Sequence, residues 1–184
     1  MKNKYLIILL IHIFFCNYSF ANEFKFETNK IDILDGGNLI IASDGKVISS
    51  DNKIEIKALK FNYKKNLNLL EAFEGTALII PDDIRIDFQD LKINQKDQII
   101  SSKKKTIVRD LRNEFTLETE GISYDRKNKI LLSEKKTTLK DKFNNNISTD
   151  YFYFEIDKNI LKIKNSTLSD SENNTFNIEL GYIN

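Results

Sequence analysis

The chain has 184 residues, 41% hydrophobic and 30% charged, with a formal net charge of +1. It holds one His, one Cys, one Met, one Pro and no Trp. A balance this close to neutral leaves no electrostatic footprint for nucleic acid, so no nucleic-acid partner is expected.

The first element is a leader. Lys2 and Lys4 give a basic start, Tyr5 to Cys16 is apolar apart from His12, and Ser19-Phe20-Ala21 offers a small-x-small cleavage site before Asn22. The apolar run is short for a membrane-spanning helix, which needs about 18 residues or more. Residues 1–21 are therefore expected to be a cleaved signal peptide, with an uncleaved anchor as the alternative. Cleavage would leave one domain, residues 22–184, with 26 basic and 27 acidic residues, and would remove His12 and Cys16. A chain without His or Cys has no His- or Cys-ligated zinc, no His general base, no Cys nucleophile and no disulfide. No cofactor is expected, and the domain must rest on its apolar core.

Five decamers then follow one another, starting at Phe24, Ile54, Ile84, Phe115 and Asn145: FKFETNKIDI, IEIKALKFNY, IRIDFQDLKI, FTLETEGISY and NNISTDYFYF. Each fits the template φ-x-φ-x-φ-x-x-φ-x-φ, with φ apolar or, at a few slots, Thr or Asn. Alternation at period 2 predicts half-buried strands, here over 24–33, 54–63, 84–93, 115–124 and 147–154. The extra residue before the fourth φ slips the side-chain phase by one. A bulge or bend at that point would keep the apolar side chains inside a curved sheet.

Short polar stretches follow the decamers: Lys64 to Asn66, Asn94 to Gln98, Asp125 to Lys129 and Glu155 to Asn159. They read as hairpin turns, hence antiparallel neighbours. Apolar residues resume at Leu39, Leu69, Ile99, Ile130 and Ile160, so each unit of about 30 residues carries two long passes of chain. Gly45 and Gly75 hold equivalent places and suggest a bend, and Gly121 sits at the phase slip of its own decamer. A period near 30 also fits a parallel β-helix, a structural or adhesive solenoid, although tight polar reversals argue against parallel coils.

Carboxylates are the one source of acid–base chemistry. Asp82-Asp83 and the pair Asp87 and Asp90 are the densest groups, as a glycosidase pair or a calcium site would need. At polar positions of strands, such acids ordinarily face water, and the calcium-loop spacing is missing. No catalytic and no metal-binding residue is assigned.

The inward phase holds Ile56, Phe61, Tyr63, Ile84, Ile86, Ile93, Leu117, Ile122 and Tyr124. These are expected to point inside, either as an ordinary sandwich core or as the lining of an apolar trough. Tyr151, Phe152, Tyr153 and Phe154, near the end of the repeats, are expected to form an exposed edge strand open to a partner. The alternative is that the tail 169–184 covers that edge.

The leader, the two-pass unit and the hairpins around Phe61-Asn62-Tyr63, Ile122-Ser123-Tyr124 and Phe152-Tyr153-Phe154 resemble the OstA-like family. Leu69 to Gly75 followed by Thr76 to Ile80 is similar to that family's recurring strand, Ala, x, Gly, strand element, and Ser133 to Asp141 is similar to a stretch of one member. The family includes the periplasmic lipopolysaccharide-transport bridge and the N-terminal domain of the outer-membrane lipopolysaccharide-assembly protein. The resemblance implies an all-β fold, a curved antiparallel β-jellyroll that is V-shaped in section. It implies a non-enzymatic carrier of lipopolysaccharide, with lipid A acyl chains in its interior. The implied partners are similar domains, joined edge to edge, and an outer-membrane assembly complex; the implied place is the periplasm. A membrane-anchored member of the same pathway shares the fold. The assembly protein continues into a barrel whereas this sequence stops at Asn184, so a stand-alone module and a piece of a longer chain both stay open.

Overall fold

The computed structural model describes residues 24–172 and 174–183, so the expected leader lies outside the described residues. Fifteen strands follow one another in chain order. β1 (Phe24–Leu34), β2 (Leu39–Ser49), β3 (Ile54–Lys64), β4 (Leu69–Ile79) and β5 (Ile84–Asn94) are each 11 residues long. Then come β6 (Ile99–Ser102), β7 (Thr106–Asp110), β8 (Phe115–Thr119), β9 (Ile122–Asp125), β10 (Ile130–Ser133), β11 (Thr137–Lys140), β12 (Asn146–Thr149) and β13 (Tyr151–Glu155). β14 (Ile160–Ser169) and β15 (Thr175–Ile183) close the series. Every pairing is antiparallel.

β6 with β7, β8 with β9, β10 with β11 and β12 with β13 are each one pass of chain broken at its midpoint. The molecule is thus a meander of eleven passes, the first six beginning at residues 24, 39, 54, 69, 84 and 99. Each step of about 15 residues is one strand plus a four-residue turn. Several of the turns end in a residue with positive φ, among them Asn68 (50°), Asp83 (54°) and Asn159 (54°). Asn and Asp adopt that left-handed conformation more readily than most residues, which suits these reversals. The antiparallel hairpins are those expected from the polar gaps, and a parallel β-helix is not what forms.

At β5 the sheet divides. Lys92 to Asn94 pair with β6, whereas Ile84 to Phe88 pair with β7. The two branches run on separately and meet again at β14, whose first half pairs with β13 and second half with β12. Every pass therefore bends at its middle and contributes to two arms. Arm I contains β6, β9, β10 and β13; arm II contains β7, β8, β11 and β12. In β3 the bend falls where the apolar phase slips: Ala58 is buried, Leu59 and Lys60 are both exposed, and Phe61 is buried again. The doubled outward pair is the device that the template signalled.

The inner faces carry cross-strand rows of apolar side chains. Arm I aligns Ile33, Ile40, Tyr63, Leu70, Ile93, Ile100, Tyr124, Leu131, Phe154 and Leu161 as successive partners. Arm II aligns Phe26, Val47, Ile56, Ala77, Ile86, Val108, Leu117, Leu139, Ile147, Leu168 and Phe176. Apart from Ile33 and Phe176 at the two ends, these rows belong to the core. Burying one such Leu, Ile or Phe contributes about 1.5–3 kcal/mol.

One expectation fails here. Tyr151 to Phe154 do not form an edge, because β13 is paired on both sides, with β10 and with β14. Phe152 and Phe154 are inside the core, and Tyr151 and Tyr153 face outward under Lys164 and Lys162, whose ammonium groups sit 4.8 and 4.5 Å from the ring centres. The tail covers this region instead: β15 pairs with β14 from Thr175 to Ile183. The chain carries a sixth copy of the template for this strand, Asn174 to Ile183, in which Gly181 takes the fourth φ slot and hides the pattern. The edges of the described sheet are β1 and β15.

Candidate functional site between the two arms

The arms face each other with an offset. Phe24 and Phe26, on arm II in the first pass, stack edge-on against Tyr63 and Phe61, on arm I in the third, with ring centres 5.3 and 6.4 Å apart. Phe115, on arm II in the seventh pass, meets Phe154 and Phe152, on arm I in the ninth, at 5.3 and 6.5 Å. Arm II of one pass therefore lies over arm I about two passes further on. A consequence appears at both ends. The inner face of arm I in the first pass has nothing above it, and Ile31 and Ile33 stay 47% and 63% exposed. The inner face of arm II in the last pass is likewise uncovered, with Phe176 53% exposed.

All nine inward residues read from the sequence are buried: Ile56, Phe61, Tyr63, Ile84, Ile86, Ile93, Leu117, Ile122 and Tyr124. In the middle of the molecule they fill the space between the arms. Toward the C-terminal end an apolar pocket of about 360 Å3 lies between the arms. Its walls are Phe115, Leu139 and Ile147 from arm II and Phe152, Phe154 and Leu161 from arm I, and its rim is Asn113, Asp141 to Phe143, and Asn159. None of the nine residues lines it. The decamers carried only part of this site: Phe152 and Phe154 had been assigned to an edge, and Leu139 and Leu161 lie in the even-numbered passes, outside the template. The alternation of Leu139 with Thr137 and of Leu161 with Ile163 was the available signal.

A polar hollow of about 330 Å3 lies elsewhere along the mouth, between the turn 50–53 of arm II and the turns 95–98 and 126–129 of arm I. Ser50, Asp51, Lys53, Gln95, Gln98 and Arg126 line it. Gln95 is 8% exposed, and its Oε1 has no hydrogen-bond partner.

Between the two hollows the arms touch through Asp82, in the turn before β5. Its carboxylate, 4% exposed, accepts a hydrogen bond of 2.5 Å from the Tyr124 hydroxyl and another from Lys129 Nζ. Burial pushes the Tyr124 phenol above its ordinary pKa, and the adjacent Asp82 carboxylate pushes it further. The other candidate carboxylates are held by neighbours on their own arm. Asp83 pairs with Arg112 at 3.2 Å. Asp87 takes Arg85 and Arg109; burial alone would raise its pKa, yet these two guanidinium groups hold it below the usual carboxylate range. Asp90 accepts from Ser102 Oγ at 2.8 Å and from the backbone of Lys103 and Lys104. Among the described residues, no group of three or more His, Cys, Asp and Glu could hold a metal ion.

No family model matches the chain, and no curated protein matches it. Among solved structures, it is similar to LptH, the LptA-homologous periplasmic component of the lipopolysaccharide transport device from Pseudomonas aeruginosa. The two share 7% identity over 89% of this chain and 95% of that one, with a TM-score of 0.29.

Proposed function

We propose that this chain is a non-enzymatic lipopolysaccharide-binding and transport protein of the periplasm, holding lipid A acyl chains between its two arms. The observation that carries this reading is the apolar pocket between the arms toward the C-terminal end, open to solvent and walled by Phe115, Phe152, Phe154 and Leu161. Such a slot suits a ligand with an apolar chain and a polar head, since the chain leaves water while the head stays at the rim. The family resemblance of the repeats supports the same ligand. The nine core residues join the pocket as its inner continuation, reached when the arms part.

The partners in this reading are similar domains, docked at the edges β1 and β15. The uncovered inner faces favour that arrangement. Arm II of the last two passes would lie over arm I of the next domain's first two passes, with the same two-pass offset as inside one domain. Unpaired backbone at both edges supplies the hydrogen bonds. Proline placed at successive positions along β15 is expected to abolish head-to-tail crosslinking without unfolding the domain. Pairing that survives every such proline would count against the edges.

The direct test is photocrosslinking with lipopolysaccharide. A photoreactive residue at Phe115 or Phe154 should capture the lipid, and one at outward-facing Tyr151 should not. Equal capture at all three positions, or none, would refute the pocket as the binding site.

A further inference from the structure

We infer that Asp82, Tyr124 and Lys129 form a latch that holds the arms shut and limits how deep an apolar chain can penetrate. This rests on the reading of the interior as a lipid slot, though the latch itself is defined by geometry alone. Lys64–Glu71 and Lys158–Glu155 lie within arm I, and Lys105–Glu118 and Lys142–Glu114 within arm II. Asp82–Lys129 joins the tip of one arm to the tip of the other. Its two members are 47 residues apart in the chain, so they meet only because the arms have closed.

The position of the contact gives it a role. Asp82 sits one turn along arm II from Asn113 on the pocket rim, and Arg112 in that same turn reaches back to Asp83. Inward from the pocket the interior is solid: Val108, Leu117 and Leu131 lie between it and the latch, and Ile56, Ile93 and Ile100 lie on the far side, all of them buried. The open space therefore ends short of the latch. A chain longer than the pocket has to run on beneath Asp82, between Tyr124 and the arm II row, and this requires the carboxylate to let go. The Tyr124 hydrogen bond depends on direction, whereas the Lys129 ammonium acts as a point charge, and both donors belong to arm I, so parting the arms weakens both contacts to Asp82 together. A carboxylate this buried is stable only while paired, which ties its fate to arm closure.

The test uses the full chain with Cys16→Ser, which removes its only cysteine. A reporter is introduced as Ile100→Cys, beside Tyr124 in the arm I row, or as Val47→Cys, at a distance in the arm II row. The latch is removed by Asp82→Asn with Lys129→Met, which leaves no lone charge behind; Tyr124→Phe serves as a second, milder variant. Thiol labelling of Ile100→Cys should accelerate by at least about tenfold in the latch-free chain, while Val47→Cys stays within about twofold. Unchanged labelling at Ile100→Cys, or equal acceleration at both sites, overturns the latch. The same proteins are then titrated with fluorescent hexanoyl and hexadecanoyl probes. The latch-free chain should bind the hexadecanoyl probe about tenfold more tightly and the hexanoyl probe with unchanged affinity. If labelling accelerates yet neither chain binds any variant, the latch stands and the lipid reading falls.

Discussion

In β2 and β4 the chain crosses from one arm to the other without leaving the strand. Asp44 and Glu74 take positive φ, 51° and 54°, and a glycine follows each. In the passes from β6 to β13 the strand breaks instead, and the corner is lined with buried hydroxyls. Thr106 bonds Ser102 at 2.6 Å, Thr119 bonds Ser133 at 2.8 Å, Thr137 bonds both Thr119 and Ser133 at 3.1 Å, and Ser166 bonds Thr149 at 2.8 Å. They also accept from or donate to the backbone freed by the break, at Lys104, Gly121, Lys135, Tyr151 and Lys164. The contrast shows two solutions to one problem. At β2 and β4 the corner keeps its strand by bringing two backbones very close, which only Gly permits there, whereas from β6 to β13 the chain gives up the ladder and satisfies the buried groups with side chains. The hydroxyl-lined half is also the half that holds the apolar pocket.

The largest expected effect breaks the interior that both halves share. Ile86→Asp would place an unpaired charge in a fully buried site and should cost at least about 4 kcal/mol, enough to remove most of the stability of a domain. Urea denaturation would read this as loss of the folded baseline. The two corners are separated by the next two changes. A Cβ on Gly75 would fall 2.1 Å from the Lys57 carbonyl oxygen and 2.7 Å from Ala58 Cβ. Gly75→Ala should therefore cost about 2–3 kcal/mol as a shift of the urea midpoint. Thr137→Val keeps the shape of the hydroxyl-lined corner but strands its partners, for about 1–2 kcal/mol in the same assay. The smallest effect sharpens the contrast. Gly121 lies at the corner of the second half, and a Cβ there meets nothing nearer than 3.4 Å. Gly121→Ala should change stability by less than about 0.5 kcal/mol. A cost equal to that of Gly75→Ala would show that both corners depend on close backbone approach.

Much of this architecture was legible because it is local. The odd-numbered passes announce their bend as two consecutive outward residues, Leu59-Lys60 or Gln89-Asp90, between alternating apolar ones. The turns announce themselves as polar gaps. The bends of the even-numbered passes were harder to see. Their left-handed residues include Asp44, Glu74 and Asn165; a glycine follows the first two, and nothing marks the third. The last strand was missed because Gly181 occupies an apolar slot where its missing Cβ admits Ile163, 3.0 Å from that position. The assignment of Tyr151 to Phe154 to an edge followed from that omission. Contacts between arms were beyond any local pattern. The meeting of Asp82 with Tyr124 depends on the two-pass offset, which is set by the packing of Phe24 and Phe115 on rings far along the chain.

The central claim is that the ligand lies between the arms at the apolar pocket. Spin labels at Lys142→Cys on arm II and Lys158→Cys on arm I flank that mouth, both at exposed sites. Their separation can be measured by pulsed electron resonance in the Cys16→Ser chain. Saturating lipopolysaccharide should shift the distance distribution to longer values, while a pair at Lys53→Cys and Lys57→Cys, both on arm II, stays fixed. An unchanged Lys142–Lys158 distance in protein shown to carry bound lipopolysaccharide would place the ligand outside the arms and contradict the account.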